Sequence, residues 1–229
     1  MLKNLGAEIE SGDIISIKRL TSPLNKFNIT IPSDPSSASF YAAAAAMIPN
    51  SEIIIQNILA NPTRIGFYNL LEKMGAGIEW NNLYQEGGEW IGDVHIFYRQ
   101  LTGIHISSEM IPSLIDEIPI IAILATQADS PTIIEGAEEL RVKESDRIKA
   151  ICKNLISMGA EIIEKKDGFI INPSFHLKHT NIQTFGDHRI AMAFTIAGLL
   201  TSQRNIIDDS NCINISFPEF SKILQKINK

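Results

Sequence analysis

Leu5-Gly6-Ala7-Glu8-Ile9, Met74-Gly75-Ala76-Gly77-Ile78 and Met158-Gly159-Ala160-Glu161-Ile162 are three copies of one phrase. Each reads as a helix that stops and a strand that starts. The glycine takes the left-handed conformation that closes a helix at low cost, and the apolar residues beyond it fall into strand spacing. Ahead of the second and third copies the spacing predicts amphipathic helices, roughly Thr63 to Met74 and Glu144 to Met158. Ahead of Gly6 stand only the residues from Met1 to Leu5, too few hydrogen bonds to offset helix nucleation. The expectation is that the chain is the downstream part of a longer design.

A second series keeps step with the first. Asp34, Asp116 and Asp187 each open an Ala- or Ile-rich run: Pro35 to Ala46, Glu117 to Ala125, and His188 to Leu200. Apolar residues surround these runs on nearly every side, which predicts buried helices. After each comes a β-branched stretch, Ile53-Ile54-Ile55, Thr132-Ile133-Ile134 and Ile206-Ile207, and then the amphipathic helix. The recurring unit is buried helix, strand, surface helix, strands, at intervals too long for a solenoid. This predicts an α+β domain of three units over residues 34–229. Residues 1–33 are expected to be a remnant of another domain, with strands at Ile14 to Ile17 and Phe27 to Ile31 that lack their own sheet.

The net charge of −6 argues against nucleic acid, whose phosphates want a basic face. No apolar run reaches the roughly 18 residues of a membrane span and no signal peptide is visible, so a cytoplasmic protein without membrane partners is expected. Cys152 and Cys212 lack metal-ligand spacing and read as reduced, packed cysteines. His95, His105, His176 and His179 show no ligand pattern and read as loop or strand residues. No metal is expected.

Chemistry gathers where the repeats start their helices. Leu140 to Arg147 places Lys143 and Arg147 four apart, on one face of the helix expected from Glu144. A like-charge pair there calls for an anion opposite, or for neutralisation by Glu144 and Asp146. Glu144 lies between the cations, placed for proton exchange. In Gly186 to Met192, Arg189 occupies the first turn of a buried helix, the end where the macrodipole disfavours a cation. A carboxylate or phosphate held jointly by Arg189 and the helix amides would account for it. Asp187 is either a helix cap or a catalytic group, and His188 either a proton shuttle or a support for its loop. Asp116 has the same alternatives as Asp187 and shares its place in the repeat, so the three helix starts are expected to converge. Glu117 stands next to it with no role that spacing decides.

These stretches, with Asp34 to Ala38 and Asn61 to Arg64, resemble the C-terminal half of the 5-enolpyruvylshikimate-3-phosphate synthases, the 3-phosphoshikimate 1-carboxyvinyltransferases. The resemblance runs the length of the chain. Asp34 to Ser37, Ser113 to Pro119 and Ser216 to Phe220 are worded most like the glyphosate-insensitive bacterial class. It implies the enolpyruvyl transferase fold: an inside-out α/β barrel-type domain of three βαβαββ units, its N-terminal twin largely absent here. It further implies transfer of the enolpyruvyl group of phosphoenolpyruvate to the 5-hydroxyl of shikimate 3-phosphate, with phosphate release and no cofactor.

By the same resemblance Asp116 would take the proton from the 5-hydroxyl and Glu144 would protonate the methylene carbon. Lys143 would assist while contacting both substrates. Arg147 and Arg189 would hold phosphoenolpyruvate, with His188 and Asp187 in support. Many members carry a lysine before the Ser-Phe-Pro stretch, where this chain has Ile215. The Lys-Ser loop and Ser-Ala-Gln motif of the family's N-terminal half do not occur in this sequence. In the family the opening segment of the enzyme also adds a strand to the C-terminal domain. Three readings stay open: one polypeptide of a split transferase completed by a separate N-terminal half, a truncated relic without catalysis, and an anion- or partner-binding module.

Overall fold

A computed structural model describes residues 2–227; Met1, Asn228 and Lys229 fall outside. At its centre lie three helices that contact one another: α1 (Pro35–Met47), α3 (Ile118–Thr126) and α5 (His188–Ala197). Every residue of α3 is buried, as is all of α1 but Ser37. The alanine run Ala42 to Ala46 gives α1 no bulk on any side, which suits a helix surrounded by protein. The expectation of three buried helices therefore holds.

Each central helix is wrapped by its own unit. In the first, β3 (Glu52–Leu59), α2 (Gly66–Lys73), β4 (Gly77–Glu86) and β5 (Glu89–Phe97) follow α1, and the antiparallel sheet runs β3-β5-β4. Ser33, just ahead of α1, bridges β3 at Ile58 in parallel. In the second, β6 (His105–Ile106) precedes α3 and pairs in parallel with β7 (Thr132–Ile134); α4 (Arg147–Ser157) then leads to the hairpin β8 (Ile162–Lys165) and β9 (Gly168–Ile171), in the order β6-β7-β9-β8. In the third, β10 (Asn181–Ile182) precedes α5 and pairs in parallel with β11 (Ile206–Ile207), and α6 (Phe220–Ile227) follows. Among the described residues this unit has no hairpin after its outer helix, so β11 pairs with β10 alone.

The three phrase glycines behave as the sequence suggests: Gly6, Gly75 and Gly159 have φ of +97°, +90° and +83°. Ahead of Gly6 the chain forms a 3-10 turn, Leu2–Leu5, consistent with too few residues for an α-helix. In the opening segment β1 (Ile9–Glu10) pairs with β2 (Ser16–Ile17) in a separate two-stranded ribbon. The expected strand over Phe27 to Ile31 does not form. Ile31, at 86% exposure, has no sheet to join.

Two helix starts differ from expectation. Helix α2 begins at Gly66 because Asn61 to Arg64 form a side-chain-closed turn, in which Asn61 Oδ1 accepts from the Thr63 amide (2.9 Å) and hydroxyl (2.8 Å). Helix α4 begins at Arg147, capped by Asp146, whose carboxylate accepts from the Lys149 amide at 3.0 Å. Lys143 ends a preceding 3-10 turn in an extended conformation. Lys143 and Arg147 are therefore not two positions on one helix face. Both cysteines are buried free thiols, and burial pushes Cys152 up to about 12.

Candidate active site

The starts of the three central helices meet, as the shared position of their aspartates suggests, although the aspartates play different parts. Asp34 and Asp187 are helix caps. Asp34 Oδ2 accepts from the Ser37 amide at 2.8 Å, and Asp187 Oδ1 accepts from the Arg189 amide at 2.9 Å. Asp116 caps nothing: α3 starts two residues later, behind Glu117, without a side-chain cap. That correction leaves the Asp116 carboxylate, 45% exposed, free to face the cations.

Arg147 is the hub. Its side chain is only 1% exposed and meets three carboxylates: Nε donates to Asp187 Oδ2 at 2.8 Å, Nη2 to Glu144 Oε2 at 2.6 Å, and Nη1 to Asp116 Oδ1 at 3.5 Å. Asp187 also accepts from the Ser145 hydroxyl at 3.2 Å. Burial alone would raise the Asp187 carboxyl, but the bond and charge of Arg147 and the amides of Arg189 and Ile190 hold it below the usual carboxylate range. Capping and ion pairing are thus one arrangement, and Asp187 joins the site as its buried anchor.

Arg189, at the other side, donates from Nη1 to the Asp116 carbonyl at 3.0 Å and from Nη2 to Asp116 Oδ2 at 3.3 Å. Its unfavourable place in the first helical turn is thereby offset by an acid of the neighbouring helix start. His188 is partly buried beside Asp187 and Glu144, and burial, with the nearby arginines, lowers its pKa, which keeps the imidazole neutral at neutral pH. Lys143 points elsewhere, donating to Glu139 at 2.9 Å. The structure therefore brings together Asp116, Glu144, Arg147, Asp187, His188 and Arg189, and leaves Lys143 at the rim.

Two contributors, Ser145 and Arg64, escaped the sequence reading, and Glu117 was named there without a role. Ser145 fixes Asp187, and Glu117 sits buried between helix starts. Arg64 pairs with Asp34 at 3.0 Å and reaches Ser36 at 3.3 Å. The Ser-Asp step before Arg147 was the legible signal of a cap; for Arg64 no spacing rule applied. Ser36, Thr63, Arg64, Ser113, Asp116 and Glu117 line a polar recess of about 210 Å³ beside Asp116. The described residues hold no cluster of three or more His, Cys, Asp or Glu placed to bind a metal ion.

Comparison with known proteins decides the lineage of this arrangement. The family model of EPSP synthase (3-phosphoshikimate 1-carboxyvinyltransferase) matches residues 1–224. The chain belongs to the EPSP synthase family. It is 44% identical over 234 residues to the 3-phosphoshikimate 1-carboxyvinyltransferase of a Sulfurihydrogenibium species, covering 100% of this chain and 54% of that protein. With the enzyme of that name from Oceanobacillus iheyensis it shares 46% identity over 230 residues, 100% of this chain and 53% of the relative. A solved EPSP synthase from Acinetobacter baumannii superimposes with a TM-score of 0.93 at 35% identity, over 99% of this chain and 53% of that one. The enolpyruvyl transferase NikO from Streptomyces tendae, at 17% identity and a TM-score of 0.75 over 99% of this chain and 51% of that one, shares the fold. The architecture is the enolpyruvyl transferase fold expected from the sequence, and the chain spans about half the length of the curated relatives it matches. Among the described residues no helix is long and apolar enough to cross a membrane.

Proposed function

We propose that this chain supplies one wall of the active site for enolpyruvyl transfer from phosphoenolpyruvate to the 5-hydroxyl of shikimate 3-phosphate. The observation that carries the reading is the meeting of Asp116, Glu144, Arg147 and Arg189 at the helix starts in a chain of this family. Asp116 accepts the hydroxyl proton as its oxygen bonds to C2 of phosphoenolpyruvate, and Glu144 delivers a proton to C3. Loss of phosphate and of a proton from C3 then regenerates the double bond, so that atoms and charge balance over the two steps. Arg189 and Arg147 hold the anionic groups, Lys143 turns from Glu139 toward them, and Asp187 anchors Arg147 with His188 alongside. In this structure the arginines meet carboxylates of the protein itself, as buried cations require. Substrate binding must therefore exchange protein carboxylates for substrate anions, and Arg147 becomes reachable when Glu144 rotates away.

The opposite wall is proposed to come from the N-terminal half that the longer relatives carry, with residues 1–33 as a remnant of that N-terminal domain and 34–229 as the C-terminal domain. At β11 the third unit differs from the other two among the described residues. In the first two units the corresponding strand carries the inner strand of a hairpin, while beside β11 lies a recess of about 140 Å³ lined by Thr195, Leu199, Ile207 and Leu224. On this reading the chain alone turns over negligibly, because catalysis depends on positioning two anions in a closed cleft. Phosphate release is measured with both substrates, for the chain alone and mixed with the N-terminal half of a related enzyme. Release in the mixture that disappears with Glu144→Ala supports the proposal, and silence in both with a cooperatively folded sample refutes it.

A further inference from the structure

One atom in the site has no partner. Among the described residues, Glu117 Oε1 is the single buried side-chain nitrogen or oxygen without a hydrogen bond. A stranded buried acceptor costs about 1–3 kcal/mol, and the Glu117 side chain is only 7% exposed. It is hemmed in by every element around it: Ser36 at the start of α1, Arg64 ahead of α2, Asp116 beside it, Arg189 on α5, and the Tyr68 ring, whose hydroxyl is engaged by the Pro35 carbonyl at 3.0 Å. Of the two cations, Arg64 is already occupied by Asp34 and Ser36. Arg189 Nη1 stands 3.8 Å from Glu117 Oε1 while donating to the Asp116 backbone carbonyl, and Nη2 donates to the Asp116 carboxylate.

We infer that Glu117 is a positioning residue, the second seat of the Arg189 guanidinium when Asp116 is called on for chemistry. The inference rests on the proposed function for its purpose, since a base paired with Arg189 must be released before it can accept a proton. A movement of about 1 Å brings Nη1 to the usual distance of a charged pair, and it lets Nη2 leave Asp116 for an incoming anion without casting the guanidinium loose. The change also settles the charge of Glu117. Burial, with help from Asp116, now raises its carboxyl above the usual range against the pull of Ser36, Arg189 and Arg64, and contact with Arg189 would hold it as carboxylate. Seating Arg189 on Glu117 therefore releases a proton from Glu117 in the pH range where it is still protonated.

The test needs neither substrate nor turnover, so its failure is distinct from failure of the proposed function. The Glu117 carboxyl carbon is followed by NMR through a pH titration of the whole chain, labelled with ¹³C-glutamate and assigned with Glu117→Gln. Asp116→Asn weakens the first seat, and the Glu117 midpoint should then fall about one unit further with Arg189 present than in an Arg189→Gln background, a tenfold change in its proton affinity. Equal falls in both backgrounds would mean that only the lost Asp116 charge is felt, and would overturn the inference. A second measurement covers a poorly folded Arg189→Gln chain: solvent exchange of the Arg189 side-chain N–H groups should stay slow in Asp116→Asn and quicken in Asp116→Asn/Glu117→Gln. Exchange that is equally fast in the two would also overturn it.

Discussion

Removing Asp187 should come close to unfolding this protein, and the structure says by how much and why. Asp187 is fully buried. Its side chain performs two tasks: Oδ1 caps α5 through the Arg189 and Ile190 amides, and Oδ2 receives Nε of the buried Arg147. Loss of a cap costs about 0.5–2 kcal/mol, and breaking a buried ion pair by deleting one partner costs about 3–5 kcal/mol because a charge is left behind. Glu144 and Asp116 still face Arg147 from the solvent side, which places the combined loss for Asp187→Ala at about 4 kcal/mol, against a total stability of about 5–15 kcal/mol for a domain. Asp187→Asn keeps an acceptor for the helix amides and should lose about half as much. Urea denaturation of the two variants, with the slope checked for constancy, measures this. The deciding variant is Asp187→Ala/Arg147→Met: with the stranded charge gone, it should be at least about 2 kcal/mol more stable than the sum of the single losses. Strict additivity would refute the reasoning. The folded carboxyl lies below its unfolded value, so Asp187 stabilises the wild type above the ordinary aspartate range and that contribution is lost as pH falls. The acid limb of stability against pH should be shallower in Asp187→Asn.

The glycines give two contrasting expectations. Gly159→Ala meets only open space and the end of the Lys178 side chain, so its cost is the left-handed backbone alone, about 1–2 kcal/mol by urea midpoint. Gly168→Ala would drive a Cβ into the Ile134 carbonyl across the β7–β9 pair, and should lower stability by more than Gly159→Ala in the same assay. Cys152 and Cys212, both buried with raised thiol pKa values, should resist a thiol reagent at pH 8 until denaturant unfolds the chain; labelling that precedes the loss of secondary structure would contradict their packing.

Much of this fold was legible because three separate segments repeat one pattern. The glycine phrase marked helix ends whose left-handed geometry the structure reproduces at Gly6, Gly75 and Gly159, and the Ala-rich and Ile-rich runs marked helices with no exposed side. Helix starts were harder to read. At Lys143 to Arg147 the spacing suggested one continuous helix, but the Asp146 cap sets the start three residues later than Glu144, a choice between two acids that periodicity does not see. Phe27 to Ile31 alternates like a strand, yet alternation specifies only a face, and a partner edge must exist for pairing. The candidate site was legible as a set of residue types at repeated positions. Its wiring was not, because whether Arg189 meets Asp116 or Glu117 depends on how α5 packs against the segment ahead of α3, and Arg189 and Asp116 lie 73 positions apart in the chain.

That wiring explains why the site carries acids in such number around its arginines. Helix starts offer partial positive charge, and Arg147 and Arg189 add full cations within the same small volume, so an empty site built from these alone would be electrostatically costly. Asp187 answers this permanently, from beneath and out of solvent. Asp116 and Glu144 answer it conditionally, since their side chains are 45% and 50% exposed and can turn away when a ligand anion arrives. The division follows burial: the shielded acid holds the arginine in place, and the exposed acids are the ones left free to exchange protons. On the proposed function, a site of this design would bind anions by substitution rather than by simple attraction, and the arrival of substrate would be tied to the release of the groups proposed to act on it.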